Sequence, residues 1–185
     1  MIMPIKTLTA SAATFVMLTV ATWAGTQPYA GQEGREIASL SGADVTALLA
    51  GEGWGLAKPA ELNGYPGPAH VLELADKLHL TDAQRGEITA IFDGMKAEAQ
   101  SLGAAYVEAE EHLSRMFRAG HADPDMLSRI LADSSDTLAK LRAVHLSAHL
   151  ETTPILTAHQ KAMYQTLRGY GTGSDRSGHG GHSHD

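Results

Sequence analysis

The sequence of 185 residues contains no cysteine, and this absence excludes several kinds of chemistry. Thiol nucleophiles, thiolate metal sites, disulfide frameworks and lipid attachment through an N-terminal cysteine all depend on that residue. Any metal site in this chain must therefore use histidine, methionine, aspartate or glutamate side chains.

Aromatic residues are also scarce, at 5% of the chain, although apolar residues together reach an ordinary globular share of 43%. Alanine, leucine and methionine must then form the core. This favours helices, because strands draw on β-branched and aromatic residues. The net charge of −7 is not accompanied by a basic stripe, so we expect no nucleic-acid partner.

Motifs of the common enzyme classes are missing as well. The sequence has no glycine-rich phosphate loop, no nucleophile elbow and no His-Glu-x-x-His motif. We therefore predict that the protein is not an enzyme.

The N-terminus has the pattern of an export signal. Lys6 precedes an uncharged, mostly apolar run from Leu8 to Ala24, and small residues follow. We therefore expect a periplasmic protein in which residues 1–24 are a signal peptide. The alternative is an uncleaved membrane anchor, for which a run of about 17 residues is short.

Two long amphipathic segments predict an antiparallel helical hairpin. Thr81 and Gln84 fit a capping box at the start of the first helix, and Gly120 ends that helix. Its apolar seam recurs at steps of four and three residues: Ile88, Phe92, Met95, Ala99, Leu102, Tyr106, Ala109, Leu113 and Met116. Asp123 and Pro124 begin the second helix, whose seam is Leu127, Leu131, Ser134, Leu138, Leu141, His145 and Ala148.

Shorter elements flank the hairpin on both sides. Residues 25–40 are polar and we expect them to be loose, and a short helix begins at Ser41. After the turn-rich residues 63–68, a helix is predicted from Pro68 to about Leu78. Beyond the hairpin, Thr153-Pro154 breaks the second helix, and Thr157 with Gln160 repeats the capping box ahead of a last short helix.

The predicted fold is all-α: a long antiparallel helical hairpin with short flanking helices, in a four-helix protomer that forms a homodimer. Its parts are the signal segment 1–24, an N-terminal segment 25–64 with a short helix, the hairpin domain 65–169 and a disordered histidine-rich tail 170–185.

Histidines mark two candidate metal sites. His145 and His149 are four residues apart on a predicted helix, so both imidazoles lie on one face, one turn apart. The competing interpretation is that His145, which falls on the apolar seam, is a core histidine bonded to a backbone carbonyl. The tail histidines offer flexible ligands for metal capture, or serve only to solubilise the tail: His179, His182 and His184.

The two Leu-Thr-x-x-Gln motifs, Leu80–Gln84 and Leu156–Gln160, flank one hairpin behind an export signal. In this the chain resembles the Spy/CpxP/ZraP superfamily of periplasmic stress proteins, which includes periplasmic heavy-metal sensors, over residues 65–170. The resemblance implies a small dimeric helical protein that binds metals, binds unfolded client proteins without ATP, or reports stress to a membrane partner such as a sensor kinase or an anti-sigma factor.

The resemblance also suggests further ligands. The nickel and cobalt sensors of the superfamily carry a His-x-x-x-Met pair before the second motif; His145 matches its first position, and His149 replaces the methionine. Imidazole in place of thioether favours Zn²⁺, Ni²⁺, Co²⁺ or Cu²⁺ over Cu(I). His70 lies near another ligand position of those sensors, and Glu73 or Asp93 could supply a carboxylate. We therefore expect a metal-binding sensor or buffer in the heavy-metal or envelope stress response; a chaperone and a regulatory partner of a membrane sensor are the alternatives.

Overall fold

The computed structural model describes residues 27–170, and within this range the chain forms helices and turns but no strands. The described range contains six α-helices and one short 3-10 turn, Thr153–Ile155, between the last two. The helices are α1 (Gly42–Leu49), α2 (Lys58–Glu61), α3 (Pro68–Glu73), α4 (Asp82–Arg118), α5 (Pro124–Thr152) and α6 (Ala158–Leu167). The prediction of an all-α fold is confirmed.

Contacts divide the chain into two units at Gly31, and all six helices belong to the unit that begins at Gln32. The predicted signal segment 1–24 and all but the first residue of the predicted tail lie outside the described residues. Of the helices described, none is long and apolar enough to cross a membrane.

Both predicted capping boxes are present. The backbone N–H of Gln84 donates to the Thr81 hydroxyl at 3.2 Å, and the Gln84 carboxamide oxygen accepts from the Thr81 N–H at 3.1 Å. Thr157 and Gln160 repeat this arrangement at the start of α6, at 3.2 and 2.9 Å. These bonds satisfy backbone donors that the first turn of a helix leaves free, which explains why α4 and α6 begin at these residues.

The two motif glutamines also bind each other. The Gln84 carboxamide N–H donates to the Gln160 side-chain oxygen at 2.9 Å, and Gln160 donates in return at 3.0 Å. Each carboxamide also donates to a backbone carbonyl, Gln84 to Ile155 at 2.8 Å and Gln160 to Leu78 at 3.3 Å. This reciprocal pair, which we call the glutamine clasp, ties the start of α4 to the start of α6.

Helices α4 and α5 form the predicted hairpin, and residues of the predicted seams are buried between them. One position in the α5 seam was predicted wrongly. Leu131 is 45% exposed, whereas its neighbour Ile130 is buried.

Part of the N-terminal segment packs closely against the hairpin. Ile37 and Leu40 are buried, and the Arg118 guanidinium donates to the carbonyl of Glu36 at 2.7 Å. Inside this contact the buried Glu110 carboxylate accepts hydrogen bonds from the hydroxyls of Ser39, at 2.6 Å, and of α5 Ser134, at 2.7 Å. The expectation of a loose segment is therefore wrong for residues 35–40, because two apolar side chains gain burial there.

Candidate metal centre

A short helix and a sharp turn build one wall of the site. Pro59 lies in the first turn of α2, where its missing N–H costs nothing, and the helix carries Glu61 at its end. Gly64 in the following turn has φ +88°, a conformation that favours glycine. Pro68 then begins α3, which ends at Glu73 and not near Leu78 as predicted. This reversal brings Glu61 and α3 to the same side of α5.

The structure brings three of the predicted ligands together. His145 and His149 on α5 are 3% and 8% exposed, while His70 on α3 is partly exposed. All three line one cavity of about 350 Å³, which we call the histidine cavity. The i, i+4 pair therefore faces inward toward α3.

The tautomer of His149 follows from its hydrogen bond. Its Nδ1 lies 2.6 Å from the carbonyl oxygen of Tyr65, and because a carbonyl can only accept, Nδ1 must carry the proton. In the neutral ring, Nε2 then holds a free lone pair. A Cβ added at Gly67 would lie 2.7 Å from this Nε2, so the glycine leaves space for the imidazole. Metal-bound histidines typically donate their other ring N–H in this manner.

His145 presents a second available nitrogen. Its Nε2 is buried and has no hydrogen-bond partner among residues 27–170. Burial, and secondly the nearby His149, lower the pKa of His145, so its imidazole is neutral at neutral pH. A neutral imidazole is the form that binds metal.

Glu61 is a functional candidate that sequence reasoning missed. It is 8% exposed, and its carboxylate oxygens lie 3.7 Å from Nδ1 of His70 and 3.8 Å from Nδ1 of His149. The Tyr164 hydroxyl of α6 donates to the carboxylate at 2.5 Å, and Nε of Arg168, the residue after α6, lies 3.3 Å away as an ion-pair partner. Its only sequence signal is a position between a helix-starting proline and a turn.

The two predicted carboxylate ligands lie elsewhere. Glu73 and Asp93 are exposed, and neither lines the histidine cavity. As the side chains stand, no three histidine, aspartate or glutamate residues in the described range are grouped closely enough to hold a metal ion. A shared ion therefore requires the imidazoles to rotate toward a common point. His179, His182 and His184 lie outside the described residues.

Comparison with known proteins gives one match. The model of a family described as LTXXQ motif family protein matches residues 69–168, more than half of the chain. The matched segment contains both glutamine motifs and all three cavity histidines. No curated protein and no solved structure matches.

Proposed function

Because the chain belongs to the LTXXQ motif family, the family of the Spy/CpxP-type periplasmic proteins, we propose that it binds divalent transition-metal ions in the periplasm, as a sensor or buffer in the heavy-metal or envelope stress response. One observation carries this proposal: His145 and His149, one turn apart, each have a ring nitrogen free to bind metal at a cavity that His70 also lines.

The donor set suits a particular group of ions. Imidazole nitrogens bind Zn²⁺, Ni²⁺, Co²⁺ and Cu²⁺, and three of them leave room for water or a carboxylate in the remaining positions. The bond from Nδ1 of His149 to the Tyr65 carbonyl leaves Nε2 as the nitrogen that can bind a metal, and the Gly67 position leaves the imidazole free of a Cβ contact. These features support a folded site that is separate from the tail.

Calorimetric titration tests this proposal on the full chain. In the reference protein the three tail histidines are replaced by asparagine, so that only the folded site is measured. We expect saturable binding of at least one of the four ions. His149→Ala and His145→Ala each remove a ligand. Each should lower the metal affinity by more than the roughly 10–100-fold that is typical of losing a residue that only supports a ligand.

His121→Ala is the matched control, because this histidine is exposed in the turn between α4 and α5. The metal affinity of the His121→Ala variant should equal that of the reference protein. If the doubly substituted His145→Ala/His149→Ala protein binds as tightly as the reference, the folded site does not exist.

A groove along the hairpin supports a second candidate function, that of an ATP-independent chaperone. The groove, of about 630 Å³, combines apolar Ile91, Met95 and Val144 with charged groups that include Lys140 and Glu151. A client that is still folding needs such a mixture of apolar and charged contacts. We expect the protein to suppress aggregation of a denatured client at near-stoichiometric ratio, and Ile91→Glu to weaken this. No suppression with or without metal would reject this function.

A further inference from the structure

We propose that Glu61 is a positioning residue of the histidine site, and that it couples metal binding to the docking of α6. This inference rests on the proposed metal-binding function. Glu61 lies in α2, ahead of the segment that the family model matches.

Glu61 faces histidines on one side and α6 on the other. Its two oxygens lie 3.7 and 3.8 Å from the Nδ1 atoms of His70 and His149. These distances exceed hydrogen-bond length, and Nδ1 of His149 already donates to the Tyr65 carbonyl. The carboxylate therefore acts on the rings through its negative charge, which favours a cation at their opposite nitrogens. The geometry therefore fits a supporting group better than a direct ligand.

Tyr164 of α6 and Arg168, the residue that follows this helix, hold the carboxylate in place. Tyr164 is fully buried and donates its hydroxyl proton to Glu61, while Arg168 supplies the neighbouring positive charge. Burial, and secondly the bond to Glu61, raise the pKa of Tyr164, so the phenol stays protonated as a donor. Because the carboxylate is bonded to Tyr164, an interaction that fixes the position of Glu61 also restrains α6.

The charges make this coupling favourable. One Glu61 oxygen is buried and has no hydrogen-bond partner within residues 27–170, so its charge is incompletely compensated. A divalent ion on the histidines adds positive charge across the imidazoles from this carboxylate, which strengthens the attraction in a largely buried setting. Coupling of two binding equilibria is reciprocal, so metal binding should stabilise α6 docking, and a docked α6 should strengthen metal binding.

The test uses Glu61→Gln in the reference protein without tail histidines. Glutamine retains an oxygen that accepts from Tyr164 but removes the charge that faces the imidazoles. We expect metal affinity to fall about 10–100-fold. Glu87→Gln, an exposed glutamate on α4, is the control for loss of one negative charge and should bind as the reference does.

Hydrogen exchange supplies a readout that a purely structural role would not move. In the reference protein, metal should slow exchange of the backbone amides of α6; in Glu61→Gln at saturating metal, this slowing should be absent. Tyr164→Phe keeps the carboxylate and its ion pair with Arg168 but removes the hydrogen bond from α6, and should bind metal with less of the added protection.

The outcomes separate the two proposals. If the reference protein binds no metal, the proposed function fails. If it binds metal but Glu61→Gln binds equally tightly, or Glu73→Gln is the variant that loses affinity, the role of Glu61 is refuted. Should Glu61→Gln not fold, Tyr164→Phe decides alone: undiminished metal protection of α6 would overturn the coupling.

Discussion

A close approach of α1 to α4 at Gly103 gives a quantitative test of the packing. A Cβ built on Gly103 would lie 2.2 Å from the carbonyl oxygen of Leu48 and 2.9 Å from its carbonyl carbon. Both are backbone atoms, so rotation of a side chain cannot relieve the overlap. Gly103→Ala must therefore push α1 away from α4, and with it the buried Leu48 side chain.

The expected destabilisation combines two opposing terms. Overpacking a core costs about 1–3 kcal/mol, and a backbone obstacle places this substitution at the upper end. Alanine recovers about 1 kcal/mol of helix propensity relative to glycine. The net loss is then about 2 kcal/mol, which for a domain of this size lowers Tm by roughly 4–8 °C.

Gly86→Ala is the matched control, since it makes the same substitution in the same helix. Apart from its chain neighbours and the backbone of its own helix, nothing lies within 4 Å of a Cβ at Gly86. Only the propensity gain therefore remains, about 0.5–1 kcal/mol of added stability. Urea unfolding followed by circular dichroism measures both variants. If Gly103→Ala is as stable as the parent, α1 does not rest on α4 at this point.

Three further predictions concern the clasp, acid stability and the tail. Gln160→Ala leaves the Gln84 carboxamide without its partner and should cost about 2–3 kcal/mol in urea unfolding, with Gln84→Ala/Gln160→Ala costing less than the sum of the single variants. Hydrogen bonds from Ser41, and secondly from Trp54, lower the pKa of Asp44 from 3.8 to about 2. Its contribution to stability is therefore complete above about pH 4 and lost as the pH falls toward 2, a loss that Asp44→Asn should remove from the acid-unfolding profile. Restoring the tail histidines to the reference protein should add weakly bound ions in calorimetry and leave the affinity of the folded site unchanged.

Helix starts could be predicted because their causes are local. A hydroxyl at the N-cap and a carboxamide three residues later determine where α4 and α6 begin, and both partners are close in sequence. The exchange of hydrogen bonds between Gln84 and Gln160 could not be predicted in the same way, because it joins residues 76 positions apart.

Apolar periodicity predicted the hairpin but not every contact within it. Ile130 and Leu131 lie four and three residues before Ser134, and both spacings fit a helical seam. Only packing against α4 decides that Ile130 is the buried one. For the same reason, burial of Ile37 against the hairpin has no local signal in a polar segment.

In the candidate site, too, some residues have a local sequence signal and others are recognised only from tertiary contacts. The pair His145 and His149 was predictable from helical spacing alone. Glu61, in contrast, meets His149, which is 88 positions away, only after the chain has folded back on itself. Its hydrogen bond to Tyr164 has a sequence separation of 103. A glutamate in such a segment resembles any solvated carboxylate until the tertiary contacts are known.

The segment that the family model matches includes only part of the candidate metal site. The match begins at residue 69, so it contains the three cavity histidines and the glutamine clasp, but not Glu61, Tyr65 or Gly67. The groups that orient His149 and leave room for its imidazole therefore come from the preceding segment. If metal binding depends on that segment, it is a property that this chain adds to the helical hairpin. Gly67→Ala examines this directly: the added methyl group would press on the His149 imidazole, so metal affinity should fall while the clasp and hairpin persist. Unchanged affinity would mean that the histidines bind without the arrangement described here.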